Sequence, residues 1–289
     1  MDRVIVIGVY GFLGNHLCTT LLEEGITVFG IDAFNNDEMN RYKEEKEMLI
    51  GRNANYHILE FDRIFDQFSG HENKVDAVYY CDEQSLSSVD FLDQVLSFCK
   101  ENSIKLIFTS SLSIFNKKEN TITEETMPSP VSAKAKRYVE LEEHIRTRSK
   151  EEAIHYTIIR LPVVYGPWQP ETFAFQSIIS KQEKGEDVKD IEDDGIGDVL
   201  FIEDVIHALI KAGSIKQTPP ILHISSGKEG QWVKAMNYLL KKRMNKEVAP
   251  TLFLNNLAAK VLTFEPQYTV EEGLERQRQH VKSRNGSPQ

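Results

Sequence analysis

The 289-residue chain has little from which to build a metal centre, a disulfide framework or a membrane anchor. Cysteine is scarce. Cys18, Cys81 and Cys99 are odd in number, lie in apolar-periodic segments and lack metal-ligand spacing. That pattern suits core thiols in a reducing compartment rather than a set of bridges. The eight histidines form no HExxH or other paired pattern, so no metal site is expected. No apolar run approaches the roughly 20 residues that span a bilayer. The opening Met1-Asp2-Arg3-Val4 enters a strand pattern without the basic flank, apolar segment and cleavage site of a signal peptide. A cytoplasmic location is therefore expected. Positive charge is short as well: 34 Lys and Arg against 44 Asp and Glu leave a net charge of −10. An acidic surface repels phosphate backbones, which argues against nucleic acid and anionic membrane as general partners. A local basic pocket for one phosphorylated ligand stays compatible with that balance.

What is present is an alternation of strand-like and helix-like segments from the first residue, the signature of βαβ units and a parallel sheet. Val4-Ile5-Val6-Ile7 is a continuous apolar run, as a strand covered on both faces should be. Leu13, Leu17 and Leu21 recur on one helix face. Further strands are expected at Thr27 to Asp32, Tyr56 to Asp62, Val75 to Cys81, Lys105 to Ser111 and Ile154 to Val164. Helices are expected over 84–102, with Val89, Leu92, Val95, Leu96 and Cys99 facing inward, and from Ser132 to Lys150. The run Glu44-Glu45-Lys46-Glu47 reads as a solvated helix.

Beyond Gly166 the pattern loosens. Helices are expected near Phe173–Lys184, Asp204–Ala212 and through Trp232, Met236 and Leu240, with a strand at Ile221–Ser225 and an acidic turn from Asp190 to Asp194. The fold class is thus α/β, a doubly wound Rossmann sheet over 1–166. A smaller substrate lobe over 167–280, interleaved with it, is expected at the carboxyl ends of the strands. Residues 281–289 read as a frayed tail.

The first strand runs into Gly8-Val9-Tyr10-Gly11-Phe12-Leu13-Gly14, spaced GxxGxxG. Glycines there allow a tight turn, close approach to a pyrophosphate and packing of helix on strand. The helix amino terminus, beginning at Phe12 and Leu13, then offers amide donors and a positive dipole end. A glycine triplet alone is weak; one that follows a strand and opens a helix in the first βα unit has the confirming context. Asp32 ends the second strand, 18 residues after Gly14. A carboxylate there can take both adenosine ribose hydroxyls and repel a 2′-phosphate, favouring NAD over NADP. Asp62, ending the third strand, either meets the adenine amino group or caps its strand. Tyr10 reads as adenine-side packing.

These residues resemble the extended short-chain dehydrogenase/reductases, and within them the NDP-sugar epimerases and dehydratases. The likeness spans nearly the whole chain. Thr109-Ser110-Ser111-Leu112-Ser113-Ile114-Phe115 is similar to the family's Ser-Ser-Ser-x-x-Val-Tyr strand end. Arg160-Leu161-Pro162-Val163-Val164-Tyr165-Gly166-Pro167 is similar to its Arg-x-x-Asn-Val-Tyr-Gly-Pro segment. Leu262-Thr263-Phe264-Glu265-Pro266 with Val270-Glu271-Glu272-Gly273-Leu274 is similar to its closing signature. The resemblance implies NAD as cofactor, a nucleotide sugar as ligand, and a homodimer through the helices at 84–102 and 132–150. It also implies Ser111 as the hydroxyl on a substrate oxygen, unless that serine only satisfies backbone at a strand end. Trp168 either lines a sugar or base pocket or packs the lobe.

The family carries Tyr-x-x-x-Lys on the helix after the serine-rich strand, the tyrosine acting as acid or base and the lysine lowering its pKa and holding the nicotinamide ribose. Here the region reads Ser132-Ala133-Lys134-Ala135-Lys136-Arg137-Tyr138-Val139-Glu140. Aligning Lys136 and Glu140 with the family puts Ser132 at the tyrosine position; sliding by one puts Val131 there and loses the lysine. Tyr138 sits roughly 200° around the helix from Lys136 and, spaced with Leu141 and Ile145, belongs to the core. The matches Tyr42-to-Lys46 and Tyr238-to-Lys242 lie in other parts of the chain. Lys136 then either holds the nicotinamide ribose or belongs to a basic face with Lys134 and Arg137. Three further departures accompany it. Cys81-Asp82-Glu83 stands where small residues pass the cofactor. Val163 replaces an asparagine, and Gly197-Asp198-Val199 replaces Arg-Asp-Phe. The sequence therefore leaves three readings: an active NAD-dependent enzyme with a substitute acid or base, using Ser111 or a water held by Ser132; a non-catalytic NAD(P)-binding sensor or assembly partner; and a structural relic.

Overall fold

The computed structural model describes residues 1–32, 42–59, 68, 74–81, 89–116, 121–188, 197–242 and 251–285. Its main sheet has seven strands, in the order β10-β7-β5-β4-β1-β2-β3. These are β1 (Arg3–Ile7), β2 (Thr27–Ile31), β3 (Tyr56–Ile58), β4 (Ala77–Tyr80), β5 (Lys105–Ser111), β7 (Tyr156–Leu161) and β10 (Ile221–His223). β1 runs parallel to both β2 and β4, with Val4 opposite Val28 and Ala77, and β5 continues the parallel register from β4. Val4, Ile5, Val6 and Ile7 are fully buried, because a strand at the centre of a parallel sheet is covered on both faces. The connecting helices are α1 (Phe12–Glu23), α2 (Lys43–Ile50), α3 (Val89–Glu101) and α4 (Ala133–Glu152).

The chain divides into two compact units. The first holds Met1–Ser111, Ser132–Arg160 and Ile206–Leu222; the second holds Leu112–Val131, Leu161–Val205 and His223–Gln289. The two units are interleaved along the chain: 112–131 and 161–166 lie in the second and 206–222 in the first. Residues 206–222 return to the first unit because α6 (Ile202–Ser214) leads into β10 at the sheet edge. The strand expected from Ile154 to Val164 is in fact two, β7 and β8 (Val163–Tyr165). Pro162, which has no N–H for a ladder, stands between them. β8 leaves the main sheet and pairs in parallel with β9 (Val199–Phe201).

In the first unit a buried ion pair and a bridging carboxylate tie the helices to the sheet and to each other. Arg160, on β7, makes a two-armed pair with Glu142 on α4, Nη2 lying 2.6 Å from Oε2, and both side chains are almost fully buried. Ser110 on β5 donates to Glu142 Oε1 at 2.5 Å, so one carboxylate joins two strands to one helix. Tyr138, Leu141 and Ile145 form the buried face of α4, as their spacing predicts. α3 and α4 are bridged by Asp93, which meets His144 at 2.7 Å and Arg148 at 2.6 Å.

The second unit has its own core. Tyr165, Phe175 and Phe201 pack ring against ring. Around them lie α5 (Ala174–Glu183), α7 (Gln231–Leu240) and α9 (Val270–Asn285). A two-stranded ladder joins β6 (Thr121–Ile122) to β11 (Leu252–Phe253), and α8 (Asn256–Leu262) follows it. α9 is helical through Asn285 with Val281 buried; of the tail expected from 281, residues 286–289 lie outside the described residues. The acidic turn at 190–194 also lies outside them. Among the described residues, no helix is long and apolar enough to cross a membrane and no cluster of His, Cys, Asp and Glu could hold a metal ion.

Candidate functional site

The glycine loop leaves β1 through Gly8, whose φ of +80° is a left-handed conformation that suits glycine. Gly8 N and Val9 N both donate to Ile31 O, at 2.8 and 3.2 Å. The loop is thereby fastened to the end of β2, next to Asp32. Gly11 N donates back to Gly8 O at 2.9 Å, closing the turn. The close approach is set at Gly14: a Cβ there would fall 2.0 Å from Gly8 O, so only glycine lets α1 pack on the loop. Gly11 is the N-cap of α1. No side chain caps that helix, and its first turn carries no acidic residue. The amides of Phe12, Leu13 and Gly14 thus stand at a positive helix end with no intrahelical acceptor, which is the arrangement that receives a phosphate.

One buried atom nearby, Asn15 Nδ2, has no hydrogen bond among the described residues. The Asp32 carboxylate at the end of β2 has acceptor sites for a ribose hydroxyl, since an ionised carboxylate offers about four lone-pair sites. The residues present therefore fit a dinucleotide. Asp62, the candidate for the adenine, and the Asp82-Glu83 pair lie outside the described residues.

The sequence reading missed what α2 contributes. Lys43 Nζ lies 2.8 Å from Asp32 Oδ2 as an ion pair. Lys46, read as part of a solvated run, is buried, and its Nζ donates to Tyr10 O at 2.8 Å. Tyr10 is buried too; the hydroxyl of Tyr56 donates to its hydroxyl at 3.1 Å. Burial raises the pKa of the Tyr10 phenol, and Glu47 and Asp32 add to the rise, while the Tyr56 hydrogen bond opposes it. The only sequence signal for this cluster is the spacing of Lys43 and Lys46, three apart on one helix face.

The catalytic candidates sit at β5 and α4. Ser111 ends β5, beyond Thr109, whose Oγ1 donates to Tyr80 O at 3.0 Å. Ser132 is the N-cap of α4, and its Oγ accepts from Ala135 N at 3.1 Å. Lys136 lies on the first turn of that helix with an exposed side chain. The other tyrosine–lysine matches go elsewhere: Tyr42 is the N-cap of α2, and Tyr238 is exposed on α7. In the second unit Asp198 is buried and accepts from Val199 N at 2.9 Å, from Ser226 N at 2.8 Å and from Ser226 Oγ. Burial pushes its carboxyl up to about 6, against the pull of those hydrogen bonds. It holds the β9 start to the loop after β10. Trp168 packs between His280, at 4.6 Å, and Arg284, at 4.5 Å from its ring, both on α9.

Residues 4–221 match the family model described as the NAD dependent epimerase/dehydratase family. A 37.6 kDa protein from the cld 5′ region of Escherichia coli O111:H- is 31% identical over 232 residues, 72% of this chain and 68% of that one. Among solved structures, UDP-glucuronic acid 4-epimerase from Bacillus cereus in complex with NAD superposes with a TM-score of 0.81 at 23% identity, covering 97% of this chain and 96% of that chain. The dTDP-glucose 4,6-dehydratase of Bacillus anthracis in complex with NAD gives 0.79 at 19%, covering 98% and 97%. At these identities the likeness to the solved structures is one of fold.

Proposed function

The chain belongs to the NAD dependent epimerase/dehydratase family, and from that premise we propose that it binds NAD at the glycine loop and a nucleotide sugar beside it, with its proton-transfer step impaired. The observation that carries the reading is a contrast within the first unit. The amino end of α1 is left open around Gly8, Gly11 and Gly14, while Ser132, which the resemblance aligns with the family tyrosine when Lys136 and Glu140 are matched, has its hydroxyl engaged in capping α4.

In this reading the amides of Phe12 and Leu13 meet the pyrophosphate. Asp32 accepts from the adenosine ribose, Lys136 holds the nicotinamide ribose, and Ser111 donates to a sugar oxygen. NAD, when bound, supplies a reversible hydride acceptor. What the chain lacks is a phenol to exchange the proton at the sugar hydroxyl. A serine is shorter and far less acidic than the usual tyrosine pKa of about 10, and losing a positioned base costs about 10²- to 10⁴-fold in rate. Gly197, in place of the arginine implied by resemblance, removes a donor worth about 1.5–3 kcal/mol per charged hydrogen bond to a phosphate. A second reading follows from the same contrast: an NAD-binding sensor or assembly partner that turns nothing over.

The test is NADH binding to the pure protein by fluorescence, with Asp32→Ala beside it, followed by a screen of UDP- and dTDP-sugars for turnover. Saturable NADH binding that weakens about tenfold or more in Asp32→Ala is expected, from the loss of hydrogen bonds to a charged group. Turnover at rates normal for the family would overturn the impairment, and its complete absence would favour the sensor. Failure to bind NADH would leave the structural relic.

A further inference from the structure

The carboxylate that follows β2 is not alone. Lys43, the first residue of α2, sets its ammonium 2.8 Å from Asp32 Oδ2, and the two side chains are 30% and 14% exposed. The same ammonium lies 5.3 Å from the centre of the Tyr10 ring, within cation–π range. One turn later Lys46 is anchored on the glycine loop itself, through Tyr10 O at 2.8 Å and more weakly through Gly11 O at 3.5 Å. That anchor fixes α2 against the loop and with it the place of Lys43. The helix thus sets one ammonium on the loop's backbone and a second on the carboxylate beside it.

A bare carboxylate at this position rejects a 2′-phosphate by repulsion between like charges. A carboxylate already paired has a net local charge near zero, and the ammonium beside it is a donor that a phosphate attracts. The carboxylate keeps acceptor capacity beside this charge-assisted contact, because its two oxygens offer about four lone-pair sites and Lys43 takes one of them. One pair can therefore serve two ligands. A ribose hydroxyl takes the carboxylate, and a 2′-phosphate takes the ammonium.

We propose that Lys43 sets cofactor selectivity, and that by pairing with Asp32 it admits a 2′-phosphorylated nicotinamide dinucleotide alongside NAD. The inference rests on the reading that the glycine loop holds a dinucleotide.

The experiment is a fluorescence titration of the full chain with NADH and with NADPH, for the native protein, Lys43→Met and Lys43→Arg. The native protein and Lys43→Arg should bind both ligands with affinities within about tenfold of each other. Lys43→Met should lose about tenfold or more for NADPH while NADH changes far less, as one charge pair is removed. Raising the salt should weaken NADPH more than NADH, since the added contact is ionic and screened. Native protein that binds NADH alone, or a Lys43→Met variant that weakens both ligands equally, overturns the proposal while leaving the cofactor site standing. Native protein that binds neither ligand overturns the cofactor reading itself, and this inference with it. Lys43→Arg guards against a loss of fold, since it keeps the charge.

Discussion

Two helices of the first unit begin in opposite ways. α1 starts at Gly11 with no capping side chain and no acid in its first turn. α4 starts at Ser132, whose hydroxyl closes on Ala135 N at 3.1 Å. Every helix leaves its first amides without intrahelical acceptors, and these must be satisfied from elsewhere. α4 satisfies one of them from its own sequence, whereas α1 has no side chain that does so. The residue that closes α4 stands where the family resemblance implies the catalytic tyrosine. One end is thus open to a phosphate and the other closed upon itself, which is the contrast on which the proposed function rests. A third helix end repeats the closed solution in another form: Lys105 Nζ donates to Ala212 O at 2.8 Å and Ile215 O at 3.1 Å, at the carboxyl end of α6.

The comparison can be broken first where α4 is held rather than where it begins. Glu142→Ala should take from the buried Arg160 its two-armed carboxylate partner and from Ser110 its acceptor. A loss of about 3–5 kcal/mol is expected, read from urea denaturation midpoints at constant slope. A destabilisation below about 1 kcal/mol would show that the pair contributes little.

Next comes the open end. Gly14→Ala forces a methyl onto Gly8 O, a backbone atom 2.0 Å away that has no rotamer to escape into. The loop must shift, so NADH binding should fall about a hundredfold or more, with a stability loss of about 1–3 kcal/mol. Unchanged NADH affinity in a folded variant would separate the loop from the cofactor.

The α6 end carries a pH dependence. Burial pushes the Lys105 pKa down to about 8 from 10.5. Between those values the unfolded chain holds more protons than the folded one, so stability should rise with pH across that window. Below pH 8 both states are protonated and the desolvation cost is present in full. Compared with Lys105→Met, the native protein should gain on the order of 1–3 kcal/mol between about pH 8 and 10. Thermal melts at the two ends of the window measure it, and parallel curves for the two proteins would refute it.

The smallest effect is expected at the closed end. Ser132→Ala should cost about 1 kcal/mol as a lost cap and leave NADH affinity where it was. A fall in NADH affinity without loss of stability would place that hydroxyl in the cofactor site.

Much of this was legible from residue pattern. The continuous apolar run of β1, the leucines of α1 and the strand at Lys105 to Ser111 fall where periodicity places them. So does the inward face of Tyr138, Leu141 and Ile145. The second unit was less readable, because its strands are two or three residues long and carry no period of their own. β8 was merged with β7 for that reason, although Pro162 marked the break. The same limit leaves the interleaving of the two units without local marks in the sequence. Segment 206–222 belongs to the first unit through the pairing of β10 at the sheet edge, which no local pattern records.

At the site, the sequence by itself determined the glycine loop, the carboxylate at Asp32 and the serine at 132, because each is a matter of residue type at a fixed spacing. Only the tertiary structure decided what surrounds them. The pairing of Lys43 with Asp32, the burial of Lys46 on the loop, the Arg160–Glu142–Ser110 junction and the capping by Ser132 depend on distances between atoms. Charged side chains in a helix such as α2 read alike whether they face water or a carboxylate, and only the packing of the chain distinguishes the two.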